Sequence, residues 1–124
     1  MQIVDTNIFI DHLRGYRSAT AFFDSLGEER IIFSAVTEAE LIAGKQCADI
    51  NKKGEIIQFL GRWQKIDVTN PIAVKAGDLT REHGLELADS FIAATALLYK
   101  AELLTRNVKD FQNIEGLTVK EPYK

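Results

Sequence analysis

Four carboxylates stand where they could do chemistry together: Asp5, Glu40, Asp89 and Asp110. Asp5 directly follows the apolar N-terminal residues, and Asp89 is the one charged residue in an apolar stretch that is typical of a buried helix. An ionised carboxylate withdrawn from water costs several kcal/mol unless a cation or strong hydrogen-bond donors compensate its charge. We therefore expect a cation or strong donors opposite Asp89.

The chemistry open to these acids follows from their charge. Two carboxylates about 4 Å apart repel each other by ~4 kcal/mol at an effective dielectric constant of about 20, so a cluster must bind a cation or take up protons. Cys47, His12 and His83 have no partners at metal-ligand spacing, which leaves an all-oxygen site. Oxygen ligands select Mg²⁺ or Mn²⁺ over zinc or copper, and Mg²⁺ held by one or two carboxylates suits phosphodiester hydrolysis.

Each acid also has an ordinary structural explanation. Asp5 and Asp110 could be helix N-caps or turn residues, Asp89 could stabilise a helix N-terminus, and Glu40 could be a solvated helix acid. The presence of all four on separate elements is what favours a shared site.

Length and composition exclude several classes of protein. The 124 residues, 46% hydrophobic and 27% charged, predict one globular domain over 1–124 rather than a disordered or coiled-coil chain. The net charge of −3 provides no general attraction to nucleic acid or to an anionic membrane, so contacts with RNA would need a local patch of cations. A single cysteine and no signal peptide after Met1 predict a cytoplasmic protein.

The pattern of apolar residues predicts short strands alternating with helices. Strands are predicted at 2–4, 31–33, 66–68, 103–104 and 117–119. Helices are predicted at 8–13, 18–26, 35–43, 48–63, 71–83 and 87–99, with Ser18, Ser34 and Asn70 as N-caps. This alternation predicts an α/β fold with three layers, α/β/α, around a mostly parallel sheet of four to five short strands.

Polar residues follow two of these strands directly. Asp5, Thr6 and Asn7 come after the first strand, and 105–107 (Thr-Arg-Asn) come after the fourth. In open parallel sheets the functional crevice lies beyond the carboxyl ends of the strands, so these residues are candidates for one shared site.

Four segments, in order, resemble the PIN-domain ribonucleases, and within them the VapC-like toxins of type II toxin–antitoxin pairs. They read IVDTNIFI, EAELIAG, LADSFIAATAL and LLTRNVKDF, and they span positions 3–111. The resemblance implies a Mg²⁺- or Mn²⁺-dependent endoribonuclease that cuts single-stranded RNA or structured RNA loops. It also implies a homodimer, a cognate antitoxin that blocks the acidic pocket, and contact with DNA only through that antitoxin.

The same resemblance implies roles for individual residues. Asp5 and Asp89 would bind the metal ion, Glu40 would support them, and Asp110 would be the fourth acid. Water, metal or phosphate would be positioned by hydrogen bonds from four further residues, namely Thr6, Asn7, Thr105 and Asn107. Many relatives carry aspartate where this chain has Asn107, so a second metal position is in question.

Cations near the expected pocket could hold the RNA backbone. The nearest in sequence are Arg14, Arg17, Lys45, Arg106 and Lys109. Arg106 is the leading candidate for a phosphate contact, because it lies between two implicated residues and its guanidinium can bind phosphate with two hydrogen bonds. Solvated surface charge is the ordinary alternative for each of them.

Three other functions compete with a nuclease. A receiver-like Mg²⁺-binding signalling module would need paired acids after the first strand, and its phospho-acceptor would have to be Asp67. A phosphatase of the haloacid dehalogenase type would need aspartate at the position of Asn7. The third alternative is a catalytically inactive PIN interaction domain.

Overall fold

The computed structural model describes all 124 residues, as five strands and seven α-helices. The strands are β1 (Gln2–Val4), β2 (Ile31–Ser34), β3 (Gln64–Ile66), β4 (Glu102–Leu104) and β5 (Val119–Lys120). The helices are α1 (Thr6–Leu13), α2 (Arg17–Asp24), α3 (Ala35–Ile42), α4 (Ile50–Leu60), α5 (Asn70–His83), α6 (Leu87–Tyr99) and α7 (Val108–Phe111), with a 3-10 helix at Lys45–Ala48. The predicted α/β class is confirmed. None of the helices has the length and apolar character needed to span a membrane.

All five strands are parallel, in the order β3-β2-β1-β4-β5. The chain builds the sheet outward from β1 in one direction and then returns to place β4 on the other side of β1. The carboxyl ends of β1 and β4 therefore flank the point where the strand order reverses, which is where open α/β sheets bind ligands.

Two hydrophobic cores lie on opposite faces of the sheet, because alternate residues of each strand point in opposite directions. Ile3 of β1 and Leu103 of β4 belong to a core completed mainly by α5 and α6. Their neighbours Val4 and Leu104 belong to a second core completed mainly by α1, α2 and α4. This arrangement is the predicted α/β/α layering.

The buried aromatic residue Phe9 lies at the centre of the second core. Its ring centroid is 5.3 Å from that of Phe23, 5.9 Å from Trp63 and 6.0 Å from Phe33. These rings connect α1, α2 and β2, so the packing of α1 fixes the direction in which its first residues face the sheet edge.

Several local predictions were wrong. Tyr16 rather than Ser18 precedes α2, and Thr69 rather than Asn70 caps α5, where its hydroxyl accepts a hydrogen bond from the Ile72 amide at 3.4 Å. The prediction of Ser34 as an N-cap was correct, because its hydroxyl accepts a hydrogen bond from the Val36 amide at 3.0 Å. Several polar residues lie close together before these helices, and helix packing selects which one becomes the cap.

The third strand and two helices also differ from prediction. Strand β3 ends at Ile66, where the run 66–68 was expected, because pairing with β2 sets Ser34 opposite Ile66 and Val68 lies beyond the ladder. Helix α7 was not predicted, and the expected helix 48–63 is shorter, with the side chain of Asp49 as its cap. Helix α6 is buried along its centre but exposes Leu87 and Leu98 near its ends.

Replacing Phe9 by alanine should reduce the free energy of unfolding by about 3–5 kcal/mol, because it removes a fully buried ring from a packed core. Urea denaturation followed by circular dichroism measures this change. Ile50→Ala is the control, since Ile50 is 81% exposed and its loss should change the free energy by no more than about 0.5 kcal/mol. Equal effects of the two substitutions would contradict this description of the core.

Candidate active site

Asp5 is buried at the carboxyl end of the central strand β1, with only 2% of its surface exposed. The hydroxyl of Thr105, directly after β4, donates a hydrogen bond to Asp5 Oδ2 at 2.7 Å. The Thr105 Oγ1 atom in turn accepts from the backbone amide of Asn107 at 3.0 Å. A directed chain of two hydrogen bonds thus runs from the segment after β4 to the carboxylate after β1.

Burial raises the pKa of Asp5 above its usual value, since the ionised form loses its water. The hydrogen bond from Thr105 and the backbone amides of Thr6 and Asn7 oppose this shift, and the negative charge of Glu40 adds to it. The protein therefore supplies donors for the Asp5 carboxylate without a positively charged side chain that pairs with it.

Glu40 is held by a second chain of hydroxyl groups. Thr6 Oγ1 donates to Glu40 Oε1 at 2.7 Å, and the hydroxyl oxygens of Thr6 and Thr37 lie 2.9 Å apart. Because a hydroxyl has one proton and Thr6 gives its proton to Glu40, Thr37 is the donor to Thr6. Thr37 is fully buried, so this chain fixes the exposed Glu40 side chain of α3 against the start of α1.

The acids face a pocket of about 550 Å³ at this edge of the sheet. Five of the predicted site residues line it: Asn7, Glu40, Asp89, Asn107 and Asp110. His83, Glu86, Lys109 and Asn113 complete its polar wall. Asp5, Thr6 and Thr105 are buried beneath it and reach it through the hydrogen bonds described above.

Asp89, in the first turn of α6, has the clearest electrostatic signature of the pocket. Partial burial, together with the negative charges of Asp5, Glu40, Glu86 and Asp110, raises its pKa to about 6. These five carboxylates are therefore close enough to repel one another, although only Glu86 and Asp89 are near each other in the sequence.

The structure brings most of the predicted residues together, with one exception. The side chain of Arg106 turns away from the acids, and its Nη1 atom donates to Asp11 Oδ2 at 3.0 Å. Asp11 thus engages one nitrogen of the guanidinium, whose side chain stays 40% exposed, and the expected contact of Arg106 with a substrate phosphate stays a prediction. Lys109 is the predicted cation that does line the pocket.

Sequence reasoning left out Thr37 and Glu86. Thr37 lies one helical turn before Glu40 on the same face of α3, and this spacing was the available signal. Glu86 precedes α6 and resembles an ordinary residue of a helix start, so no sequence signal separates its role from capping.

An oxygen-liganded divalent ion fits the chemistry of this pocket. No three His, Cys, Asp or Glu side chains are arranged closely enough to hold one ion by themselves. Mg²⁺ is commonly bound by one or two carboxylates and several waters, so a pair such as Asp5 and Asp89 is a sufficient donor set. The raised pKa of Asp89 supports such a ligand, since a cation would compensate both the burial of this carboxylate and the repulsion from its neighbours.

Comparison with known proteins decides the family. The model of the PIN domain family matches residues 3–117. The chain belongs to the PIN domain family. Among PIN proteins, it is 35% identical over 119 residues to Ribonuclease VapC19 of Mycobacterium tuberculosis, covering 90% of this chain and 92% of that protein. The resemblance to PIN-domain ribonucleases and VapC-like toxins is thereby confirmed, and the receiver-like and phosphatase-like alternatives lose their support.

Two solved structures with similar folds agree with this assignment. A toxin–antitoxin complex from Klebsiella pneumoniae contains a chain with a TM-score of 0.84 and 31% identity, covering 100% of this chain and 99% of that chain. VapBC-1 from nontypeable Haemophilus influenzae matches with a TM-score of 0.78 and 27% identity, covering 98% of this chain and 97% of that chain.

In the absence of divalent ions, Asp89→Asn should make the protein more stable than the wild type above pH 6. The pKa of Asp89 is about 6 in the folded protein, against an ordinary value of 3.8, so folding favours the protonated form. The folded state of the wild type therefore loses stability as the pH rises from 3.8 to about 6. The difference in melting temperature should therefore shrink as pH falls toward 4.

Thermal unfolding in EDTA, followed by circular dichroism between pH 4 and pH 8, measures that difference. Glu28→Gln removes an exposed acid from the turn before β2 and serves as the matched control for the loss of one carboxylate. A difference for Asp89→Asn that does not vary with pH would contradict a raised pKa for this carboxyl group.

Proposed function

We propose that this protein is an endoribonuclease that depends on Mg²⁺ or Mn²⁺ and hydrolyses phosphodiester bonds in single-stranded RNA or in structured RNA loops. The observation that carries the proposal is the acidic pocket at the reversal of strand order, where partial burial and the negative charges of Asp5 and Glu40 raise the pKa of Asp89. Similarity to ribonucleases named VapC gives independent support for nuclease activity.

Asp5 and Asp89 are the proposed metal ligands. Thr105 holds the Asp5 carboxylate in one orientation by its 2.7 Å hydrogen bond, so the ligand is ordered before the ion arrives. When bound, a divalent ion would polarise the scissile phosphate and neutralise charge that develops on it.

Glu40 is the proposed residue that orients the attacking water. Its Oε1 atom is occupied by the Thr6 hydroxyl, which leaves Oε2 to accept a hydrogen bond from water and to take its proton. By donating to Thr6, Thr37 keeps the Thr6 proton directed at Oε1 of Glu40 and leaves Oε2 free. Removing Glu40 should therefore reduce the rate less than removing Asp5.

The exposed rim of the pocket is the proposed contact with RNA. The side-chain amides of Asn7 and Asn107 can donate to phosphate oxygens, and Lys109 adds a positive charge beside Asp110. Asn107 contributes an amide rather than a carboxylate to this rim, which favours a single ion over two.

A cognate antitoxin is the proposed regulator. The similar chain from Klebsiella pneumoniae belongs to a toxin–antitoxin complex, and an excess of negative charge in the pocket suits a partner that supplies a cation there. We propose that the chain forms a homodimer, works in the cytoplasm as the toxin of such a pair, and contacts DNA only through its antitoxin.

Purified protein, free of any partner, should cleave single-stranded RNA in the presence of Mg²⁺ or Mn²⁺ and stop when EDTA is added. Asp5→Asn and Asp89→Asn should each reduce the rate by at least about 100-fold, because each removes a metal ligand. A fluorescently labelled RNA digested and resolved on a gel measures the rate, with Glu28→Gln as the control of unchanged activity.

Cleavage that persists in EDTA, or in a folded Asp5→Asn variant, would reject the metal-dependent mechanism. A wild-type protein that binds Mg²⁺ and leaves every RNA intact would instead support the inactive interaction domain.

Mg²⁺ binding itself should be visible as stabilisation. At a concentration about 100 times its dissociation constant, a ligand specific to the folded state adds ~2.7 kcal/mol to the free energy of unfolding. At pH 7.5 the melting temperature of the wild type should therefore rise with Mg²⁺, while that of Asp89→Asn should rise much less. Scanning calorimetry makes the comparison, and an equal rise in both proteins would remove Asp89 from the ligand set.

A further inference from the structure

Asp11, a partly buried residue of α1, accepts two hydrogen bonds on one oxygen. Its Oδ2 atom lies 2.7 Å from the hydroxyl of Tyr123 and 3.0 Å from Nη1 of Arg106. These contacts join residues about a hundred positions apart, and we call Asp11, Tyr16, Arg106 and Tyr123 the Asp11 network. None of the roles derived above for the acidic pocket uses this network except to note where Arg106 points.

Two aromatic rings complete the surroundings of Arg106. Its guanidinium carbon lies 5.2 Å from the ring centroid of Tyr16 and 5.7 Å from that of Tyr123. The hydroxyl of Tyr16 donates to the backbone carbonyl of Lys124 at 2.8 Å, so the C-terminal residues are tied to α1 and to the turn after it. A single exposed ion pair restricts its two side chains only weakly. A guanidinium that contacts a carboxylate and two aromatic rings has one preferred position.

The backbone of Arg106 lies inside the segment that controls Asp5. Thr105, one residue before it, donates to the Asp5 carboxylate, and Asn107, one residue after it, donates its amide to Thr105 and lines the acidic pocket. The Asp11 network therefore holds the side chain of Arg106, the middle residue of segment 105–107. The residues on either side, Thr105 and Asn107, make the contacts with Asp5 and with the pocket.

We propose that Asp11, Arg106 and Tyr123 are positioning residues for the reaction. They hold segment 105–107 so that the Thr105 hydroxyl keeps the Asp5 carboxylate in place to bind metal, and Arg106 does so instead of binding RNA phosphate. This inference rests on the proposed nuclease function for its kinetic consequences, but the ordering of the segment can be measured without metal or substrate.

Asp11→Asn separates the two roles of Arg106 because they predict opposite results. If the network positions the segment, the variant loses about tenfold in kcat, the lower end of the effect for residues that support a metal ligand, and needs more Mg²⁺ for half-maximal rate. If Arg106 binds phosphate, release from Asp11 frees its charge and lowers KM for RNA. Tyr123→Phe removes a single hydroxyl, keeps the ring, and should change kcat in the same direction as Asp11→Asn.

The matched control is Asp78→Asn on α5. Asp78 Oδ1 accepts from Nη2 of Arg81 at 2.9 Å, an exposed aspartate–arginine pair that is separate from the pocket lining. Its loss should leave kcat, KM and the Mg²⁺ requirement unchanged.

Hydrogen exchange of the metal-free protein tests the positioning directly. The Asn107 amide is protected by its bond to Thr105, so peptides covering 105–110 should exchange faster in Asp11→Asn and Tyr123→Phe than in the wild type and Asp78→Asn. The double variant Asp11→Asn/Arg106→Gln should be no worse than either single variant, because both break one network.

Unchanged exchange in 105–110, or a lower KM with unchanged kcat in Asp11→Asn, would overturn the proposal. If the wild type cleaves no RNA, the nuclease function fails, and the exchange comparison still decides whether the network orders the segment. If the wild type cleaves RNA and the variants match it in rate and exchange, only the network proposal fails.

Discussion

A negative charge buried at the end of the central strand is the constraint on which the rest of this structure depends. Asp5 occupies a position where water is excluded and where no cationic side chain reaches it. Neighbouring elements supply hydrogen-bond donors to this carboxylate, namely the Thr105 hydroxyl and the backbone amides at the start of α1. Those donors leave part of the charge uncompensated, and nearby acids increase it, which is the physical reason for the cation that we propose in this pocket.

Much of the fold could be predicted from the alternation of short apolar runs with helical ones. The strands at 2–4 and 31–33 and the helix ending at Gly84 were placed within a residue or two, because periodicity and a left-handed glycine at the helix end are local properties. The register of β3 and the use of Thr69 as a cap were not predicted. Both depend on contacts with β2 and with the rest of the sheet, and the local sequence holds no information on those contacts.

The site shows the same division between local and tertiary information. The positions of Asp5, Thr6 and Thr105 directly after strands were enough to predict that they meet, since parallel strands end at one edge. The direction of a long side chain was not predictable in this way. Arg106 lies between Thr105, which bonds to Asp5, and Asn107, which lines the pocket, yet its own side chain contacts Asp11 and two tyrosine rings. Only the packing of the C-terminal residues reveals these contacts.

The bond between Thr105 and Asp5 links residues that are 100 positions apart, and β1 pairs with β4 over the same interval. During synthesis the first strand can pair with β2 long before β4 exists. Until roughly the last fifth of the chain has emerged, the carboxylate of Asp5 has no Thr105 hydroxyl to orient it, and β1 lacks its second partner strand, β4. Contacts this distant in sequence form late in folding. A polypeptide truncated before β4 therefore lacks an assembled acidic centre.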